Sequence, residues 1–358
     1  MTDCLIVGAS FAGLVAAREL RGHDVLIVDR SPIGAHQTSA CALPTRLIEW
    51  LGAADAVLHE DTRMHLRIGS SAWNLNLPEA YCVIDYEACC RALAAQCDAR
   101  FEQIRVVGRD GDSAVGAGGE RLAATHLIDA SGWRRVLDAG GPTRGSHDGL
   151  VIGTEDHVPA GDAPTTNGFA FYVAKSLLKA GYGWSFPAGS HVRAGVGSFT
   201  REPLQPAMAG LRQREQIGAG TEHHGGAIAC TPREPVQGPV VFVGDAAGQA
   251  LPVTLEGIRP AAYFGAAAGR LLAASLDGRL TATDAHARYA ALHASHRAGY
   301  DRLNQAQRWI RLLPEFAIRR MATKRIGPGA RSGPPPEVEL GRHRYLQVLR
   351  AEELDDLP

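Results

Sequence analysis

The sequence predicts an α/β fold: a parallel, Rossmann-like nucleotide-binding sheet, a second, largely antiparallel sheet and a helical C-terminus. Three observations carry that reading. Short apolar runs at residues 4–7, 25–28, 124–128 and 240–243 have the length and continuity of strands buried on both faces. The first and last of these runs lead through glycine turns into helices, the arrangement of a sheet that binds nucleotides at its carboxyl edge. Between them, residues 150–199 read as aromatic-rich strands separated by turns, a different layer from the first.

The N-terminal element is the most specific. Cys4-Leu5-Ile6-Val7 is a strand, Gly8-Ala9-Ser10-Phe11-Ala12-Gly13 a tight turn, and residues 14–20 a helix. In such a unit the first small residue permits the turn, the second lets the backbone approach a pyrophosphate, and the third lets helix pack on sheet. Ser10 stands at the middle position, where glycine is usual. The helix N-terminus then turns unpaired amides toward the phosphates. Asp29 closes the next strand 21 residues after Gly8, close to the ~20-residue offset of a carboxylate that holds a ribose hydroxyl, and Arg30 follows it.

Residues 31–40 form a polar loop, and residues 44–51 a helix closed by Gly52, with Pro44 in its first turn. Cys41 lies just ahead of that helix, where partial positive charge lowers a thiol pKa, so a reactive thiolate is expected there. Residues 63–77 supply strands, 85–96 a helix and 100–107 a strand, and glycine turns surround Ser113-Ala114-Val115. Gly116 and Gly118 have no following helix, so no second nucleotide fold is expected. The run at 124–128 ends in Asp129-Ala130-Ser131-Gly132, where Asp129 is either a cofactor contact or a turn aspartate. The aromatics at 169, 171, 172, 182, 184 and 186 have two open readings, sheet packing or the wall of an apolar pocket.

Residues 240–243 end in Gly244-Asp245-Ala246-Ala247-Gly248, followed by Pro252 and Glu256-Gly257-Ile258, then an alanine-rich helix to Leu276. This places a second acid at a strand's carboxyl end beside a glycine-led helix N-terminus, where an electron-rich ring could rest. Both ends of the chain would thus share one cofactor, with Asp245 read as a ligand or as a helix cap.

Composition narrows the classes. The 358 residues suggest about two domains, and a formal charge of −1 gives no general attraction to nucleic acid. Seven cysteines without a C-x-x-C pair or zinc-spaced histidines predict neither a disulfide framework nor a metal site, and Cys89, Cys90 and Cys97 read as core fillers. The longest apolar stretch, 260–276, is broken by Arg270, and a start directly in a strand predicts a cytoplasmic protein. Residues 308–350 carry ten Lys or Arg against three acids, either a solvated helical face or a patch for transient contact with a membrane surface. Glycine-proline loops at 327–329 and 333–336 precede an expected last short helix.

Three segments jointly resemble the FAD-dependent superfamily of p-hydroxybenzoate hydroxylase-type monooxygenases, flavin halogenases and geranylgeranyl reductases. They are the N-terminal turn with Asp29, the Asp129–Gly132 element, and residues 244–248 with Pro252 and 256–258. Within it the chain is most similar to geranylgeranyl reductases, through Tyr182-Gly183-Trp184-Ser185-Phe186-Pro187, then Gly195-Val196-Gly197, and Cys41 at the place of that family's cysteine. Ala42-Leu43 follow where the family has glycines, and Leu255 replaces the second residue of its Thr-Gly-Glu-Gly run.

The resemblance implies noncovalent FAD. It places Gly8, Ser10, Phe11, Ala12 and Gly13 at the pyrophosphate, Asp29 and Arg30 at the adenosine side, and Asp129, Gly244, Asp245, Gly248 and Pro252 along the cofactor. Cys41, Ala42, Gly257 and Ile258 would lie near the ring. Phe171, Tyr182, Trp184, Phe186 and Leu255 would line the substrate pocket, with Cys41 as the catalytic proton donor. The expected reaction is reduction of carbon-carbon double bonds in an apolar, isoprenoid-like small molecule, with NAD(P)H or another external electron donor as reductant. A monooxygenase is the alternative, and a carrier flavoprotein a further one. Halogenases need a lysine in the N-terminal part, and this chain has none before Lys175. The implied division is residues 1–62, 85–145 and 235–300 for FAD, 63–84 and 146–234 for substrate, and 301–358 as a helical segment.

Overall fold

The computed structural model describes residues 2–141, 150–164, 168–331 and 333–340. The chain opens with β1 (Thr2–Val7), α1 (Phe11–Glu19) and β2 (Val25–Asp29), so the helix begins at Phe11 rather than Leu14. β3 (Ala42–Pro44) and α2 (Thr45–Trp50) lead into the long hairpin β4 (Val57–Ile68) and β5 (Ser71–Ile84). α3 (Tyr86–Ala94) follows, its first turn capped by Asp85, which accepts a 3.0 Å bond from the Ala88 amide. The strand expected over 100–107 is broken into β6 (Arg100–Gln103) and β7 (Val106–Asp110), which turns through β8 (Ser113–Gly116) into β9 (Arg121–Asp129).

The middle of the chain gives β10 (Leu150–Pro159), β11 (Phe169–Val173), β12 (Gly181–Ala188), β13 (His191–Ser198), α4 (Leu204–Glu215) and β14 (Glu222–Ala229). β15 (Val236–Gln237) and β16 (Val240–Phe242) return to the first layer, and α5 (Ile258–Leu276), α6 (Ala282–Ser295), α7 (Arg297–Leu312) and α8 (Glu315–Ile326) follow. The last described strand is β17 (Glu337–Glu339), paired in parallel with β5, so the C-terminal segment is not wholly helical. The expected last helix lies outside the described residues.

The first sheet runs β15-β16-β9-β1-β2-β6, with β8 joining β7 to β9. Its inner pairs are parallel, and β1 and β9 are nearly fully buried at Leu5, Ile6, Leu127 and Ile128, which explains why the chain is apolar there. The second sheet runs β14-β10-β13-β12-β11-β4-β5-β17, with β3 on β5; it is antiparallel except at β11–β4 and β17–β5. It therefore takes residues 42–44 and 57–62 as well as those expected.

Two glycines decide how the first layer packs. A Cβ at Gly265 would sit 2.5 Å from the Ala12 carbonyl, and one at Gly269 2.5 Å from that of Ala16. Their four-residue spacing gives α5 a bare stripe against α1. The first and last elements of the nucleotide layer are thereby brought together, with the N-termini of both helices bordering one cavity.

Candidate active site

A cavity of about 1170 Å³ lies between the two sheets. Its first end is the turn after β1. Gly8 has φ +114°, and a Cβ there would lie 2.3 Å from the Ala130 carbonyl, so only glycine lets this loop sit against the one after β9. The first turn of α1 closes with the Leu14 amide on the Ser10 carbonyl at 2.9 Å, so the amides of residues 11–13 have no intrahelical acceptor. Gly8, Ser10, Phe11 and Ala12 line the cavity; Gly13 instead packs on β1, where a Cβ would be 2.0 Å from the Gly8 carbonyl. The Ser10 hydroxyl makes a 2.9 Å bond to the Tyr86 hydroxyl rather than capping the helix. Asp29 and Arg30 border the same end, where Asp29 already accepts from the Ala9 and Ser31 amides at 2.9 and 3.0 Å.

Asp129 is corrected by the structure. It is fully buried and away from the cavity, accepting from the Ser131 amide at 2.9 Å, the Ser131 hydroxyl at 2.6 Å and the Leu137 amide at 2.7 Å. Its oxygens are spent on folding the 131–137 loop, the turn reading of this residue. Gly248 and Pro252 do not line the cavity either. Gly248 has φ +67°, and a Cβ there would be 1.9 Å from the Thr231 carbonyl, so this glycine is required by backbone crossing.

Gly244 and Asp245 do border the cavity, as do Gly257 and Ile258 at the start of α5. Asp245 accepts a 3.2 Å bond from the Ala229 amide and makes no side-chain helix cap. Burial pushes its carboxyl up to about 6 against the opposing pull of that amide and Arg233. The Ala261 amide bonds the Gly257 carbonyl, and Pro260 has no N–H, so the first turn of α5 presents the Ile258 amide without an intrahelical acceptor. The approach loop is strained: Val253 and Leu255 have φ +73° and +59°. The loop is held by the Val253 amide on Gln307 at 2.8 Å and the Tyr182 hydroxyl on the Thr254 carbonyl at 2.5 Å.

The far end is aromatic. Phe171, Tyr182, Trp184 and Phe186, the expected substrate-pocket residues, and Phe169, left open between core and wall, form a continuous series of ring contacts with centroids 5.1–6.4 Å apart. Both readings of the aromatics hold, since Phe169, Trp184 and Phe186 are core and wall at once, whereas Tyr172 packs on the other face. Leu255 reaches this wall from the strained loop.

Cys41 and Ala42 stand where the two ends meet. The thiolate expectation fails. Cys41 is fully buried, β3 intervenes before α2, and α2 has only six residues. Burial pushes the thiol up to about 11, with Arg193 pulling the other way. The residue is held at φ +56° by its amide on the Ser39 hydroxyl at 3.0 Å, and its thiol donates to the Ser39 carbonyl at 3.2 Å.

The sequence also missed Glu155. It is 1% exposed and accepts a 2.6 Å bond from the Trp184 indole. Strand register makes this contact: Trp184 faces Gly195 across β12–β13, and Gly195 faces Glu155 across β13–β10. A Cβ at Gly195 would be 2.3 Å from the indole, so glycine leaves the ring room to cross β13. An acid between Thr154 and Asp156 carries no sequence sign of this reach. Arg105 and Arg134, likewise unforeseen, border the nucleotide end.

These residues fit FAD: two helix N-termini bordering one cavity, amides of residues 11–13 without intrahelical acceptors, a glycine cradle that a Cβ would fill, and a long cavity continuing past them. No family model matches the chain. A curated relative, the chloroplastic geranylgeranyl diphosphate reductase of Oryza sativa subsp. japonica, is 36% identical over 113 residues, 29% of this chain and 23% of the relative. A solved geranylgeranyl bacteriochlorophyll reductase-like protein from Thermoplasma acidophilum superposes with TM-score 0.77 at 19% identity, covering 88% of this chain and 89% of that one. The fold is that of the geranylgeranyl reductase-like, FAD-dependent monooxygenase group. PqsL, a probable FAD-dependent monooxygenase from Pseudomonas aeruginosa, is similar with TM-score 0.66 at 19% identity over 88% of this chain and 98% of that one. A flavin-dependent brominase also shares the fold, with TM-score 0.64 at 14% identity over 90% and 98%. In this geranylgeranyl reductase-like frame, Lys175 lies away from the cavity, donating to the carbonyls of Lys179 and Ile310 at 2.6 and 3.1 Å.

Proposed function

We propose that the chain is an FAD-dependent oxidoreductase that reduces carbon-carbon double bonds of an apolar, isoprenoid-like substrate. The observation that carries this reading is one cavity in which the nucleotide cradle meets an aromatic wall at a buried thiol. Bound in the cradle, FAD would supply hydride from N5, replenished by NAD(P)H or another external electron donor. The chain's own groups do the rest. The first-turn amides of α1 would face the phosphates, and the N-terminus of α5 at Gly257 and Ile258 would supply positive potential beside the ring. The aromatic wall holds an apolar chain and excludes water. Cys41 keeps its proton on Sγ near neutral pH, because burial disfavours the thiolate, and so is the acid form a proton donor needs.

The protein would meet such a substrate at a membrane surface. No helix among the described residues is long and apolar enough to cross a membrane. Trp309, Leu312, Phe316 and Met321, however, are 52–71% exposed on consecutive helices α7 and α8, beside Arg308, Arg311, Arg319, Arg320, Lys324 and Arg325. Apolar side chains among cations suit an anionic bilayer surface.

The deciding experiment is a single turnover. Dithionite-reduced enzyme, mixed anaerobically with an isoprenoid alkene, should become oxidised and yield product with two added hydrogens. Enzyme that stays reduced with every alkene, yet on admission of oxygen gives a product heavier by one oxygen atom, establishes the monooxygenase instead.

A further inference from the structure

We propose that Glu155, His157 and His224 form a three-ligand site for a divalent transition cation of the zinc type, on the second sheet beside the cavity. The strand ladder builds it. Glu155 and His157 are two residues apart on β10 and so share a face, and His224 on β14 lies directly opposite Glu155 in register. One ligand atom from each falls within 4.8 Å of the others. The His224 Nε2 is 3.1 Å and the His157 Nε2 3.8 Å from Glu155 Oε1, near the ~3.4 Å that bonds of about 2.1 Å set between tetrahedral ligands.

Two further observations point to a ligand rather than to a closed hydrogen-bond network. Glu155 Oε1, although His224 Nε2 lies 3.1 Å away, and His157 Nε2 are buried without a partner in hydrogen-bonding geometry, while the other oxygen of Glu155 is satisfied by Trp184. His157 turns its other ring nitrogen to the Glu222 carboxylate at 3.2 Å, the outer contact that fixes a ligating imidazole's tautomer. Arg193 is the opposing charge, cross-strand from His157, but its guanidinium is directed to the Ala40 carbonyl at 3.2 Å. Glu155 and Glu222 supply two negative charges against the ion. Gln37 Nε2, 3.3 Å from His224 Nε2, would have to turn aside. N and O donors of this kind suit zinc, cobalt or nickel over calcium or magnesium. Because Glu155 also grips the Trp184 indole, the ion would fix one wall of the cavity without entering the reaction.

The test uses the full chain with its flavin, stripped by a chelator and titrated with Co²⁺ and Zn²⁺. The expected result is one ion per chain, Co²⁺ bands of a low-symmetry N/O site, and a raised melting temperature with zinc. His157→Asn should weaken binding at least ~10-fold, and Glu155→Gln should do the same while also altering Trp184 fluorescence. Flavin content is the control, expected unchanged in His157→Asn. Should Glu155→Gln fail to fold, His157→Asn decides alone. Absence of stoichiometric cobalt binding, or binding indifferent to these substitutions, overturns the site. The alkene experiment is independent of this result.

Discussion

At the residue scale, the two most informative groups are those whose surroundings reverse a simple expectation. A cysteine ahead of a helix suggests an activated thiolate, but Cys41 is fully buried and its thiol is pushed up to about 11. Iodoacetamide should therefore leave Cys41 unmodified in native protein near neutral pH and label it after unfolding; rapid native labelling, read by mass spectrometry, would contradict the buried-thiol picture. Asp245 offers a pH test. Its folded pKa, about 6, lies above its ordinary 3.8, so its favourable contribution to the flavin-free fold is complete below 3.8 and lost as pH rises through about 6. At about 1.4 kcal/mol per pKa unit the loss is on the order of 3 kcal/mol. Asp245→Asn should remove that loss: the difference in urea stability between parent and variant should swing toward the variant across this window. A difference flat with pH would show that the carboxylate bears no such burial cost.

At the element scale, α1 and α5 matter as a pair, because their N-termini both border the cavity and their glycine-to-carbonyl contact fixes the separation. Gly265→Ala places a methyl 2.5 Å from the Ala12 carbonyl, and backbone cannot yield as a side-chain end can. Overpacking of this kind costs about 1–3 kcal/mol. The variant should melt lower and bind FAD more weakly than the parent, both measurable in one thermal scan followed by flavin fluorescence. Unchanged values would mean that the helices part without moving the cradle.

At the scale of the whole molecule, the C-terminal elements close the second sheet and carry its exposed apolar face. β17 extends β5, and the Trp73 indole, 1% exposed, donates to the Gly327 carbonyl at 2.9 Å. This anchors the segment that follows α8, while Trp309 and Phe316 remain turned to solvent. Replacing both by serine should weaken sedimentation with anionic vesicles at least ~10-fold while leaving stability within ~0.5 kcal/mol, since neither side chain is buried. Equal binding to neutral and anionic vesicles, or none by the parent, would remove the membrane role.

The local chemistry of the sequence determined the nucleotide layer. Buried parallel strands must be apolar throughout, a strand-turn-helix that admits phosphate must have small residues at fixed offsets, and α5 announces itself as a long alanine-rich run. Those constraints act over a few residues, so Gly8, Ala12, Asp29, Asp245 and Gly257 were legible as neighbours of one cavity. Asp129 was not resolved by the same rule, because an acid after a strand looks alike whether its oxygens meet a cofactor or fold their own loop. Tertiary structure decided everything that depends on register and burial. The thiol state of Cys41 rests on what covers it, and the path from Trp184 over Gly195 to Glu155 and His224 crosses four strands whose alignment no short stretch encodes. Side-chain period fixes only which face a residue takes; the pairing of distant strands chooses its neighbours, and those neighbours set its chemistry.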